Sequence, residues 1–475
     1  LTNGANAVSQ LHAQTANGTW QGINDHTILG ITNGVHSPSW VGSPIAELLD
    51  RHLDADLDDV DGSDGQDRFW ERLEGIPAAD LWEAHLRQKR ELAIFAPGRL
   101  RSKFARHGEA PSVLAEVDVA LDPGNLSIGF ARRFATYKRA TLLFENLDWL
   151  KRIIADEARP VLFIFAGKAH PADQPGQELI RRIHELSHLP DLEGRLLLVE
   201  GYDMGLARRL VAGVDVWLNN PIYPLEASGT SGMKAAMNGT LNLSVLDGWW
   251  GEGWDGKNGW AIKPAPEHFD DARRNAEDSL TLYELLQDQI VPLYYKRNGM
   301  GYSEGWVKMA KHSIASLLPR FNSARMVGEY VEKFYLSASE QGRKFRDGQY
   351  APAKSLAAWK SRVRAHWDKV SLRRLDTARK TIVFGEGFTL RVAANLGGLA
   401  PTDVRVEVLM HRPGSAARNR GCLCMESRET LQDGSTLYEL EVTPEMCGKL
   451  DYRVRIYPWH EYLTHPFETG LMLWL

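Results

Sequence analysis

Cysteine is scarce in this chain, with three in 475 residues, all lying between Cys422 and Cys447. So few thiols exclude a disulfide-stapled scaffold and fit a reducing cytoplasm. Cys422, Cys424 and Cys447 could be read as metal ligands, but a fourth at a recognised spacing is lacking, so strand thiols are the simpler reading and no metal is expected. No apolar run reaches the length of a membrane span, and residues 1–20 lack the basic and apolar regions of a signal peptide. Charge of one sign is lacking too: 56 basic against 61 acidic residues leave a formal net charge of −5. Neither a nucleic-acid nor a membrane partner is suggested by that balance. There is no internal repeat, no low-complexity tract and no complete Walker loop, the short Gly-Lys-Ala-His-Pro run from Gly167 lacking most of that pattern.

Tryptophan, by contrast, is plentiful. There are 15, with Trp249, Trp250, Trp254 and Trp260 crowded together. Flat aromatic faces cover the C–H face of a sugar ring, although core packing accounts for scattered tryptophans as well.

The length implies two to four domains. The chain opens on leucine, and its first forty residues hold turns but no complete strand–helix–strand unit, as if it began inside a lobe. Residues 41–120 read as a helical lead-in, with a periodic run over 79–95 that Pro97-Gly98 should end. From residue 125, apolar strands alternate with amphipathic helices: strands at 126–130, 161–165, 195–199, 214–218 and 240–245, and helices at 138–155, 178–186 and 204–211. That alternation predicts an α/β domain with a parallel, doubly wound sheet over 121–345. In such sheets ligands bind beyond the carboxyl ends of the strands. Those ends carry Arg132-Arg133, Gly167-Lys168, Tyr202-Asp203 and Asn219-Asn220. Residues 340–355 are polar and read as a linker, and period-two alternation after a helix predicts an antiparallel β-sandwich within 356–475.

Two stretches stand out chemically. Residues 132–139, Arg-Arg-Phe-Ala-Thr-Tyr-Lys-Arg, place four cations where a strand passes into a helix, a position suited to clamping phosphate, although a charge run alone is usually a solvated face. Residues 226–239 read Glu-Ala-Ser-Gly-Thr-Ser-Gly-Met-Lys-Ala-Ala-Met-Asn-Gly. Gly229 and Gly232 bracket Thr230 and Ser231, so a turn without side-chain bulk can aim backbone N–H groups at an anion. Lys234 is expected in the first turn of the following helix, where a cation opposes the helix dipole unless an anion or a covalent partner is near. The plainer alternative is a glycine-rich cap on a surface helix.

Together with Ile-Thr-Asn-Gly-Val-His-Ser-Pro from Ile31, Gly-Lys-Ala from Gly167 and Tyr-Asp-Met from Tyr202, these stretches resemble the C-terminal half of an α-glucan phosphorylase of the bacterial and archaeal branch. The order of the motifs is also the family's. The resemblance implies a Rossmann-like second lobe of a two-lobed GT-B glycosyltransferase, dependent on pyridoxal 5′-phosphate and acting on α-1,4-glucan and inorganic phosphate. It implies that Lys234 forms the imine with the cofactor. Amides around Thr230, Ser231 and Gly232, with Arg132 and Lys138, would hold the cofactor phosphate, with Tyr202 beside them. Arg133 and Lys138 would hold the substrate phosphate. Glu226, Ser228 and Gly229 would bind glucose hydroxyls, and Asn33 and Tyr137 would line the sugar site. Asp203 and Ala135 stand where better-known members have arginine and histidine, which leaves one phosphate and one sugar contact open. Residues 1–40 would be the remnant of the first lobe and an active-site loop. A sugar-nucleotide glycosyltransferase of similar architecture and a non-catalytic glucan-binding fragment are the competing readings, and a homo-oligomer is left open.

Overall fold

Six apolar runs between residues 126 and 262 lie side by side in one parallel sheet. The computed structural model describes residues 4–21, 27–53, 63–108, 121–377, 386–411, 421–443 and 451–475. The strands are β1 (Leu126–Arg133), β2 (Val161–Lys168), β3 (Leu196–Val199), β4 (Val216–Asn219), β5 (Leu241–Val245) and β6 (Gly259–Ile262). Their spatial order is β3-β2-β1-β4-β5-β6, and every neighbouring pair is parallel. Chain order turns back on itself between β1 and β4, the position at whose carboxyl ends such sheets bind ligands. Arg132, Arg133 and Asn219 end those two strands. The sheet is covered on both faces, so its strands are buried along nearly their whole length rather than on alternate residues; Phe130, Phe163, Phe165 and Trp217 are fully buried.

Helices α1 (Ala78–His107), α2 (Leu147–Ile154), α3 (Gln174–Ser187), α4 (Met204–Gly213), α5 (Thr230–Ala236), α6 (Asp271–Glu284) and α7 (Glu304–Leu317) belong to the same unit. That unit comprises Asn6–Ala16 and Leu29–Tyr330. Side-chain caps start several of its helices: Asn146 accepts from the Trp149 amide, Asp173 from Gly176 and Asp203 from Leu206.

A second unit, with residues Val331–Leu475 as its main part, is antiparallel. Its strands are β7 (Ser371–Arg374), β8 (Phe388–Asn395), β9 (Val404–His411), β10 (Gly421–Cys424), β11 (Glu426–Thr430), β12 (Thr436–Val442), β13 (Asp451–Pro458) and β14 (Leu473–Trp474). They form two four-stranded sheets, β11-β12-β8-β7 and β10-β9-β13-β14. Leu390 and Val392 from one sheet, Val406 and Ile456 from the other, and Trp359 and Val363 from the preceding helix share one buried cluster.

Several local expectations need correction. Helix α1 does not stop at Pro97-Gly98 but runs through it. Leu92, Ala96 and Leu100 are buried together with Val199, Leu206 and Leu210, and that packing outweighs a proline penalty of about 3 kcal/mol. The helix expected over 138–155 is broken into two 3₁₀ turns, Thr136–Lys138 and Leu142–Phe144, followed by α2. Arg139 interrupts it with a left-handed φ of 48°. Its guanidinium is drawn inward by Asp278 at 2.6 Å and by the carbonyls of Asn220 and Pro221 at 2.9 and 2.8 Å. The expected linker at 340–355 lies within helix Leu336–His366, broken only at Asp347, Gly348, Gln349 and Tyr350. Strand β6 adds to the expected strands; its four residues, flanked by turn sequence, carry too short a pattern to mark it.

Cys422 and Cys424 are exposed free thiols, while Cys447 lies outside the described residues. Among the described residues no His, Cys, Asp and Glu group could hold a metal ion, and no helix is long and apolar enough to cross a membrane.

Candidate active site

Beyond the carboxyl ends of β1 and β4, two cations of the first motif meet the carboxylate that opens the second. Arg132, at the end of β1, donates to Glu226 Oε2 and to Ser231 Oγ, each at 3.4 Å. Lys138 Nζ donates to the same carboxylate oxygen of Glu226. All three charged side chains are buried. Ser231 Oγ also accepts from Trp217 Nε1 at 3.1 Å, which ties the glycine-rich turn to β4. Burial lowers the pKa of Lys138, with nearby Arg132 adding to the effect against the pull of Glu226. Tyr137 lies in the same field, its phenol pushed up by burial and by Glu226. Tyr202 is raised by burial while the charge of Arg132 pulls the other way.

Lys234 occupies α5, but not where the sequence put it. The helix begins at Thr230 with Gly229 as its left-handed N-cap (φ 87°), and Lys234 falls in the last turn rather than the first. A lysine there does not oppose the dipole, so its interest lies in its surroundings. The ammonium lies 4.0 Å from the centre of the Trp40 ring. Burial alone lowers its pKa, and among the described residues it has no hydrogen bond or ion pair. Burying an ammonium without a counter-ion favours its neutral form relative to water. Asn238 fixes the helix end by donating to the carbonyls of Lys234 and Trp40, both at 2.8 Å.

Gly232 leaves no room for a side chain: a Cβ there would come within 2.5 Å of Asn242 Oδ1 and 2.8 Å of the Trp249 ring. Ser228 Oγ and Arg132 Nε are buried without a hydrogen-bond partner, an arrangement a bound polar ligand would complete.

Other expected residues lie apart from this cluster or serve it indirectly. Arg133 is exposed. Thr230 is half-buried as the first residue of α5. Asn33 is held through its backbone, its amide donating to Val8 and its carbonyl accepting from Arg325, and among the described residues no hydrogen bond joins it to the cluster. Arg139 is structural, as described above. Asp203 caps α4 and pairs with Arg99 at 2.6 Å, so it is engaged away from the cation pair. Asn220 donates to the Arg139 carbonyl and Asn219 to Ser244 Oγ.

Two residues escaped the sequence reading. Trp40 follows the Asn-Gly-Val-His-Ser-Pro stretch by two positions and could have been found as its nearest aromatic. Asp247, in a Leu-Asp-Gly turn signal after β5, is fully buried. It accepts from the Glu226 amide at 3.0 Å and from Gly248 at 2.7 Å, and burial raises its carboxyl to about 6.

A parallel sheet packed with helices, with buried cations where the strand order reverses, defines an α/β unit, and comparison with known proteins gives it a family. Residues 102–250 match the model described as carbohydrate phosphorylase, and residues 367–475 match the glycogen phosphorylase C-terminal domain. The chain is 40% identical to a maltodextrin phosphorylase of Thermococcus litoralis across 99% of its length and 55% of the relative's. It is 36% identical to a glycogen phosphorylase of Mycobacterium tuberculosis over the same shares. A glycogen phosphorylase of Aquifex aeolicus is 43% identical over 70% of this chain and 48% of its own length. The chain belongs to the carbohydrate phosphorylase family. Within it, the chain is similar to the glycogen and maltodextrin phosphorylases and spans about half the length of those relatives.

Proposed function

We propose that this chain carries the cofactor-anchoring part of an α-glucan phosphorylase, which cleaves terminal α-1,4-linked glucose with inorganic phosphate to give glucose 1-phosphate with retention. In this reading residues 121–345 are the second, Rossmann-like lobe of a GT-B architecture, and the two antiparallel sheets form a separate β-sandwich domain. The observation that carries the reading is Lys234: half-buried, unpaired, lowered in pKa and stacked on Trp40, in the unit that holds the buried Arg132–Lys138–Glu226 cluster.

The residues fit pyridoxal phosphate. A glycine-rich turn without side-chain bulk, an orphaned Arg132 Nε and a nucleophilic lysine supply a cradle, a counter-charge and an attachment point. Lys234 would hold the cofactor's aldehyde carbon, and Arg132, with the amides of Thr230, Ser231 and Gly232, would hold its phosphate, Tyr202 packing alongside. When bound, the cofactor supplies a phosphate able to pass a proton to and from inorganic phosphate.

This chain's own residues do the remaining work. Two phosphates side by side repel strongly in a low-dielectric site, and Arg132, Arg133 and Lys138 offset that repulsion. Arg132 and Lys138 are turned onto Glu226 here. An arriving phosphate competes for both cations, and Glu226 is thereby freed to accept glucose hydroxyls beside Ser228 and the Gly229 backbone. Tyr137 and Asn33 complete the wall of the sugar site.

The test is release of glucose 1-phosphate from a maltooligosaccharide and inorganic phosphate by the full-length protein. Activity lost in Lys234→Ala supports the reading; undiminished phosphorolysis in that variant contradicts it.

A further inference from the structure

Asp247 joins two backbone segments that are 21 residues apart. Its carboxylate accepts the Glu226 amide through Oδ2 at 3.0 Å and the Gly248 amide through Oδ1 at 2.7 Å. The two loops are in close apposition there. The Trp249 amide donates to the Ser228 carbonyl at 2.9 Å. Gly248 has φ +53°, and a Cβ on it would lie 2.4 Å from that same carbonyl. Thus the loop after β5 is latched against residues 226–228, the segment that presents Glu226 to the cations, and Asp247 is its one side-chain clasp among the described hydrogen bonds.

We propose that Asp247 is a positioning residue for Glu226, holding the backbone of the sugar-facing loop in place through its ionised carboxylate. The proposal rests on the reading that Glu226 receives glucose hydroxyls. The charged and titratable groups that face Asp247 are Glu226 from the latched loop, Lys138 and Tyr137 from the turn after β1, and Tyr223 from the segment after β4. Burial pushes the Asp247 carboxyl up to about 6, whereas the two amide bonds pull it down. The sign follows from linkage: because those bonds favour the ionised form, proton uptake weakens them. Below pH 6 the clasp loosens while Asp247 itself stays buried. A merely structural aspartate, anchored at constant protonation, would give a clasp indifferent to pH over this range.

Hydrogen–deuterium exchange resolved to the Glu226 and Gly248 amides, corrected for intrinsic exchange and followed from about pH 7.5 to about pH 5, tests this. In the wild-type chain both amides are expected to lose protection through pH 6. In Asp247→Asn they are expected to exchange at least about tenfold faster at neutral pH, with no further step on acidification. If the variant does not fold, the wild-type profile alone decides. Wild-type protection flat across the range, or a folded Asn variant that matches it at neutral pH, overturns the proposal. A pyridoxal phosphate absorbance titration on the same preparation keeps the two claims separate. Absence of a bound-cofactor band counts against the phosphorylase reading; flat exchange with a band present counts against the Asp247 clasp alone.

Discussion

The ammonium of Lys234 lies 4.0 Å from the centre of the Trp40 ring and has no anionic partner among the described residues. Burial lowers the lysine's pKa, so at neutral pH more of it is neutral and nucleophilic than in water. Replacing Trp40 with Leu opens that face to solvent. The expected outcome is slower capture of pyridoxal phosphate near pH 7, by several-fold. The difference should close as pH rises toward the ordinary lysine range, about 10.4. Stopped-flow absorbance across pH checks both halves of the statement.

Glu226 is the buried carboxylate that both Arg132 and Lys138 touch. In Glu226→Gln those cations lose a charged partner while remaining buried. A stability loss of about 3 kcal/mol is expected by chemical denaturation. Because a phosphate can take the vacated place, the loss should shrink when millimolar inorganic phosphate is added, more than it does for wild type.

At the amino end of β4, Asp215 is fully buried and receives Lys89 Nζ at 2.5 Å, His85 Nε2 at 3.0 Å and the Ser127 amide at 2.7 Å. Burial works to raise its pKa, but Lys89 and His85 prevail and hold the carboxyl below its usual range. A depressed carboxyl contributes stability that is present above its unfolded value of about 3.9 and is lost as pH falls through the folded value. Asp215→Ala strands Lys89 and should cost about 3–5 kcal/mol at neutral pH. Urea unfolding at neutral and acidic pH should show the gap between wild type and variant closing at the acid end.

Gly232→Ala tests the cradle. Its Cβ would meet Asn242 Oδ1 and the Trp249 ring, and both neighbours are themselves buried. A loss of about 1–3 kcal/mol in stability is expected. Cofactor retention, read by absorbance after gel filtration, should fall further than that stability loss accounts for.

What could be read from the sequence follows from how local each signal is. The central strands of the parallel sheet announce themselves by apolar runs such as residues 161–165, because both faces are buried. The segment 226–239 carries its glycines, hydroxyls and lysine contiguously, so the site's framework is visible in one window. Helix α1 misleads because Pro97 acts locally, whereas the burial of Ala96 and Leu100 that overrides it comes from α4 and β3. The break at Arg139 depends on Asp278, 139 residues away. Asp247 looks like an ordinary turn aspartate, and only the approach of the Glu226 loop makes it a buried acceptor. Lys234 falls in the last turn of α5 rather than the first, and no sequence signal fixes where a seven-residue helix starts.

The central claim is that Lys234 anchors the cofactor, and borohydride reduction in the presence of pyridoxal phosphate followed by peptide mass spectrometry addresses it most directly. A stoichiometric phosphopyridoxyl mark is expected on the peptide containing Lys234, and none in Lys234→Ala. A mark distributed over other lysines, or none on Lys234 under conditions where the folded protein binds the cofactor, would contradict it.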